Sequence, residues 1–155
     1  MRSVKFLPPL IIFTIFSIDR ITKTLVQKNL LLGDSIEVFP FFHITYVTNT
    51  GIAFGLGRDF NQFFLILSLI LVGVLFVFLR YWGRSASKNL VSIAALSMVI
   101  GGAVGNLYDR IAFGNVIDFL DFFIGSSHWP AFNVADSSVC AGAALLAFYQ
   151  WKFLE

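Results

Sequence analysis

Asp118 and Asp136 are the residues whose placement most suggests chemistry. Asp118 lies in Asn115-Val116-Ile117-Asp118-Phe119, and Asp136 lies in Phe132-Asn133-Val134-Ala135-Asp136-Ser137. An ionisable group in or beside hydrocarbon is costly and reads by default as functional, with a partner to be named. Here each carboxylate can be the other's partner. Two carboxyls about 3 Å apart cannot both ionise, so they share one proton. The ionised one then accepts a proton from water while the neutral one donates to a carbonyl oxygen. That is the chemistry of an aspartic protease, and it needs no metal and no other cofactor.

Further polar residues fall at spacings that could complete such a site. Asn106 and Arg110 are four apart and share one helical face. Asn133 reads as the N-cap of a helix whose third position is Asp136, a capping box with Asp in place of Glu. A negative charge in a first helical turn is also favoured by the helix dipole. Capping therefore explains Asp136 without catalysis, whereas Asp118 has no such structural reason. Asp19 and Lys23, four apart, read as an ion pair in a supporting role. Asp109 and Asp121 are rival carboxylates assigned to water-facing positions, with Asp109 a possible partner of Arg110. His43 and His128 read as loop histidines, Ser137 and Ser138 lack an activating neighbour, and Cys140 reads as a small packing residue. No metal-ligand spacing, phosphate loop or nucleotide fingerprint is present.

The composition says what must hold these residues in place. Apolar residues make up 57% of the 155 and charged residues only 13%, about half the usual share. So few charges cannot cover a water-facing surface, and the 19 Phe suit lipid-facing positions. A net charge of +2 without a basic run argues against nucleic acid, and the single cysteine excludes an internal disulfide. The chain reads as one membrane domain over 1–155, mainly α. Four spans are expected at about 7–28, 63–79, 90–107 and 134–153, each near the 20 residues that hydrocarbon requires. Arg2 and Lys5 precede the first apolar run, but no small-residue cleavage site follows, so it reads as a retained helix. Pro8 and Pro9 fall in its first turn, where missing N–H groups do little harm.

Lys and Arg in short loops set orientation. Arg2, Lys5, Arg80, Arg84, Lys88 and Lys152 share one side, which makes both termini cytoplasmic and puts the carboxylates near the extracytoplasmic face. Gly101 and Gly105 allow close helix packing, with Ala141-Gly142-Ala143-Ala144 as a matching surface. The segment 33–57 contains His43-Ile44-Thr45-Tyr46-Val47-Thr48, which alternates as a strand does. It is expected to form a small extracytoplasmic β element over the site, with Phe54 and Phe60 in the stretch that follows dipping into lipid. The rival functions are a proton-coupled transporter, which would favour internal repeats and midplane acids, and a structural membrane subunit. Neither gives a reason for Asp118, Asp136, Asn106 and Arg110 to gather at one side.

Five segments together resemble the signal peptidase II family of bacterial lipoprotein signal peptidases. They are Asp19-Arg20-Ile21-Thr22-Lys23, Asn49-Thr50-Gly51-Ile52-Ala53-Phe54-Gly55, Gly105-Asn106-Leu107-Tyr108-Asp109-Arg110, Val116-Ile117-Asp118-Phe119 and Phe132-Asn133-Val134-Ala135-Asp136-Ser137. The resemblance implies a four-helix bundle of the bacterial inner membrane with a β cradle. It makes Asp118 and Asp136 the catalytic dyad. It assigns Asn49, Gly51, Asn106, Arg110 and Asn133 to substrate binding and leaves Asp19 and Lys23 as support. The implied substrate is a diacylglyceryl prolipoprotein cut before its lipid-bearing cysteine, and globomycin is the implied inhibitor. Lipids are the surrounding partner, and a monomer suffices.

Overall fold

A computed structural model describes residues 6–51, 61–82 and 90–152. The expected interfacial stretch with Phe54 and Phe60 lies outside them, as do Arg2, Lys5, Arg84 and Lys88. Four long helices and a small sheet alternate along the chain: α1 (Leu7–Asn29), β1 (Ser35–Phe39), β2 (Phe42–Asn49), α2 (Asn61–Trp82), α3 (Leu90–Phe113), β3 (Val116–Ile124), β4 (Ser127–His128) and α4 (Val134–Lys152).

Helix α3 is the hub, packing against α1, α2 and α4. Its glycines decide how closely. A Cβ on Gly101 would lie 3.0 Å from Ile15 Cβ of α1, and one on Gly105 would lie 2.8 Å from Asp19 Oδ2. The tightest approach to α4 is made instead by Gly102, where a Cβ would lie 2.2 Å from the Ala135 carbonyl oxygen. Gly142 returns the contact from α4, against the Ala95 carbonyl oxygen. The Gly101/Gly105 spacing thus serves α1, and the neighbouring glycine serves α4.

This has a measurable consequence. Gly102→Ala is expected to destabilise the protein by about 1–3 kcal/mol through overpacking against backbone that cannot yield. Gly73→Ala on α2, with nothing among the described residues within 4 Å of the new Cβ, is expected to be neutral or slightly stabilising. Thermal denaturation in detergent checks both; equal midpoints would refute the packing role of Gly102.

Helices α2 and α3 are long and apolar enough to cross a membrane, with mean hydropathies of 2.8 and 1.9. Little of α2 is buried, and Phe63, Ile66, Ile70, Val74 and Val77 are exposed, as suits a helix whose solvent is lipid. Helix α3 runs to Phe113, beyond the expected end near 107, and so carries Asp109 and Arg110 within its last turns. Gly114 ends it at φ +73°, its N–H donating to the Arg110 carbonyl.

The β element is larger than expected. The strands β1 and β2 fall in the predicted segment, but β3 and β4 come from the run after α3, and the order is β1-β2-β3-β4. All pairs are antiparallel. Val47 pairs with Asp118 and His43 with Asp121. An isolated bridge joins Leu120 to Phe132, so β3 is bonded on one side to β2 and on the other to the residue that precedes Asn133. His43 and His128 therefore lie on strands rather than loops.

Candidate active site

Two backbone devices bring Asp118 and Asp136 to one place. The Leu120–Phe132 bridge ties β3 to the start of α4, with N–H to O distances of 2.8 and 3.1 Å. Asn133 then caps α4. Its Oδ1 accepts from the Asp136 N–H at 2.9 Å, while the Asn133 N–H donates to Asp136 Oδ2 at 3.2 Å. This is the reciprocal capping box expected from the sequence. The Asn133 Nδ2 reaches the other carboxylate, Asp118 Oδ1, at 2.7 Å. A single asparagine thus touches both aspartates. It is fully buried and is not among the residues that line the cavity.

Each carboxylate has a second amide donor. Asn49 Nδ2 lies 3.3 Å from Asp118 Oδ2, and Asn106 Nδ2 lies 2.7 Å from Asp136 Oδ1. Asn49 is itself held by the Gly51 N–H on its Oδ1 at 2.9 Å. Burial, and then the charge of Asp136, push the Asp118 carboxyl up to about 7, against the pull of the Asn49 and Asn133 amides.

Both aspartates open on a cavity of about 510 Å³ that Asn49, Gly51, Asn106 and Arg110 also line. Its remaining wall is largely apolar: Val116, Trp129, Pro130, Ala131 and Phe132, with Ser137 and Cys140 from α4. Cys140 is exposed to this space rather than packed.

Arg110 does not pair with Asp109. Its Nη2 donates to the Gly51 carbonyl at 3.1 Å, and its buried Nε has no hydrogen-bond partner among the described residues. Arg110 lines the cavity with its guanidinium held at the Gly51 carbonyl. Arg110→Ala is expected to raise KM about tenfold or more with a smaller change in kcat, as loss of a charged hydrogen bond in binding would. Unchanged kinetics would restrict Arg110 to holding the turn at Gly51.

Behind the cavity lies a cluster the sequence only half revealed. The expected Asp19–Lys23 pair is present at 2.8 Å, and Lys23 also meets Asp109 Oδ2 at 2.8 Å. All three side chains are completely buried. Arg20 pairs with the other Asp109 oxygen and stacks on Tyr108, 4.7 Å from the ring centroid. Asp109 was expected to face water. It is instead the counter-ion for two cations, and it also accepts from the Ile117 N–H at 3.3 Å. The available signal was its position four residues after Gly105, the glycine that packs on α1. Asp121, the other rival, pairs with His128 at 2.8 Å on the sheet, away from the cavity. Among the described residues, no group of three or more His, Cys, Asp or Glu could hold a metal ion.

Apolar helices around α3, a small sheet, and polar groups converging on one cavity define a membrane enzyme. The architecture matches a bacterial membrane enzyme structure determined by the in meso method at 2.3 Å resolution, with a TM-score of 0.83 and 35% identity over 94% of this chain and 87% of that one. The family model described as signal peptidase (SPase) II matches residues 11–152. The lipoprotein signal peptidase of Syntrophotalea carbinolica is 40% identical over 98% of this chain and 96% of its own. That of Wigglesworthia glossinidia brevipalpis is 39% identical over 94% of each chain. The chain belongs to the signal peptidase II family, the hydrolases of lipoprotein processing.

Proposed function

We propose that this chain is an aspartic endopeptidase that removes the signal peptide from diacylglyceryl-modified prolipoproteins, cleaving before the lipid-bearing cysteine. The observation that carries the reading is the convergence of Asp118 and Asp136 on one cavity, each tied to Asn133. In the reaction the pair holds one proton. The ionised carboxylate takes a proton from water, the water attacks the scissile carbonyl carbon, and the neutral carboxyl donates to the carbonyl oxygen. The carboxyl that took water's proton gives it to the departing nitrogen, the other takes back the hydroxyl proton, and collapse of the tetrahedral intermediate releases the new amine and carboxyl termini. Asn49, Gly51 and Arg110 line the cavity where a peptide backbone would lie, and the apolar wall suits the start of the cysteine's acyl chains.

The membrane arrangement follows the same reading. Helices α1 to α4 are four spans; at about 1.5 Å per residue the shortest, α4, is about 28 Å long, close to hydrocarbon thickness. Asp19, Arg20 and Lys23 of α1 and Asp109 of α3 neutralise one another within the bundle, which is the condition for keeping them there. Both termini are cytoplasmic, the sheet is extracytoplasmic, and the membrane is the bacterial inner one. A lipidated precursor stays in the bilayer because each buried CH₂ contributes about 0.8 kcal/mol, so the dyad belongs at a helix end near the surface. One chain supplies every group of the site, so a monomer suffices. Globomycin-type cyclic peptides would occupy the same cavity. The transporter reading is disfavoured because the two aspartates face a peptide-sized cavity at one end of the bundle.

The test is cleavage of a synthetic diacylglyceryl prolipoprotein by the purified chain. The expected product begins at the modified cysteine, and the unlipidated precursor is a poor substrate. Equal cleavage of both precursors, or a cut elsewhere, would overturn the substrate assignment.

A further inference from the structure

Lys23 does not line the cavity, yet its completely buried ammonium touches a residue that does. A lysine ammonium has three N–H groups and no acceptor. Lys23 donates to Asn106 Oδ1 at 3.0 Å and is held by two ion pairs, to Asp19 Oδ2 and Asp109 Oδ2, each at 2.8 Å. The contact with Asn106 bears on the site, because an amide has two chemically opposite ends. Only an oxygen can face the ammonium, so Asn106 Nδ2 must turn the other way, where it donates to Asp136 Oδ1 at 2.7 Å. Asn133 Nδ2, 3.2 Å from the same Asn106 oxygen, enforces the same choice. With the amide reversed, its NH₂ would face the ammonium and its oxygen would face the carboxylate.

The other end of the pair closes a ring. Asp19 Oδ1 accepts from the Ala135 N–H at 2.9 Å. That N–H belongs to the residue just before Asp136, in the first turn of α4. Helix α1 therefore grips Asp136 twice, by the neighbouring backbone through Asp19 and by the side chain through Lys23 and Asn106.

We infer that Lys23 is a positioning residue for the hydrolysis, fixing the direction of the Asn106 amide so that it donates to Asp136, while Asp19 fixes the helix start that carries Asp136. This rests on the aspartic reading above. Neutralising charge alone would not need the lysine to touch Asn106, since Asp19 and Asp109 already supply two carboxylates for it. The inference predicts a defect in turnover rather than in substrate affinity.

Lys23→Met alone would leave buried carboxylates unpaired and could unfold the protein, so the test uses charge-neutral pairs. In Lys23→Met/Asp19→Asn the new asparagine keeps an oxygen for the Ala135 N–H, and Arg20 still balances Asp109. The expected result is a folded enzyme with kcat lowered about 10–100-fold, the scale of a misplaced reacting group, and KM within about threefold. If that pair fails to fold, Lys23→Met/Asp109→Asn, in which Asp19 and Arg20 remain, is read in the same way. Wild-type kcat in a folded variant overturns the inference, and failure of both variants to fold marks Lys23 as structural and overturns it too. Asp118→Asn and Asp136→Asn are assayed beside them. Activity in those would sink the dyad itself, whereas inactivity in those with wild-type kcat in the neutral pair would sink only the role of Lys23.

Discussion

Asp118→Asn is expected to lower kcat by about 10³-fold or more, within the range of losing a general acid or base, while the protein stays folded. The asparagine is nearly isosteric and can still accept from one of the two amides, Asn133 or Asn49, that hold the carboxylate. What it lacks is a proton to exchange. Asp136→Asn is expected to match it, since an asparagine at that position retains the N–H that Asn133 caps. The pH dependence separates chemistry from folding. Burial, then the Asp136 charge, place the Asp118 carboxyl at about 7. The pair works with one proton, so wild-type kcat is expected to fall as pH rises above about 7 and that proton leaves. For stability, the folded state binds this proton more tightly than the unfolded chain, whose carboxyl titrates near 3.9. The stabilisation from that proton is therefore full below about 4 and is lost between there and about 7. Asp118→Asn removes this loss, so at pH 8 its thermal midpoint is expected to equal or exceed that of the wild type. Measurements of kcat and melting across pH 5–9 check both; turnover near normal in either aspartate variant would end the dyad assignment.

How far the sequence revealed this site depended on how local each signal was. Asn133 and Asp136 announce a helix start three residues apart, and Asp19 and Lys23 a pair one turn apart; both signals lie within one helix, and both relations are present. Asp118 was recognisable as costly, but its strand was not. From Val116 to Phe119 every residue of β3 is buried, so no polar–apolar alternation marks it, and a buried strand reads like any apolar run. Its register comes from β2 and Phe132, partners some 70 and 12 residues away in sequence. Asp109 was misplaced for a related reason. Its two cations come from α1, and only the crossing of α1 over Gly105 decides that it faces inward. The same crossing converts the pair Asp19–Lys23 from a way of neutralising charge into part of the site, because it brings Lys23 to Asn106.

Asn133→Ala is expected to have the largest combined effect on stability and activity, because three functions meet in one side chain. Its oxygen caps α4 at the Asp136 N–H, and such a cap contributes about 1 kcal/mol. Its Nδ2 serves Asp118 Oδ1 at 2.7 Å and lies 3.2 Å from both the Ile117 carbonyl and Asn106 Oδ1. Asn106 Oδ1 keeps Lys23 and the Asp118 carboxylate keeps Asn49, so alanine leaves about one buried acceptor short of a donor, at about 1–3 kcal/mol. A total destabilisation of about 2–4 kcal/mol is expected, with kcat down about 100-fold as the Asp118 carboxylate loses its 2.7 Å donor and the helix start that carries Asp136 loses its cap. Asn133→Ser separates the two losses. A serine hydroxyl can cap the helix, which returns about 1 kcal/mol, but it is too short to bridge to Asp118. The serine variant is therefore expected to melt closer to the wild type while remaining as slow as the alanine variant. If serine restores turnover together with stability, the asparagine acts only as a cap, and Asp118 must be held by Asn49 and its strand alone. If serine restores stability and not turnover, the amide of Asn133 is what converts the proximity of β3 and α4 into a working pair.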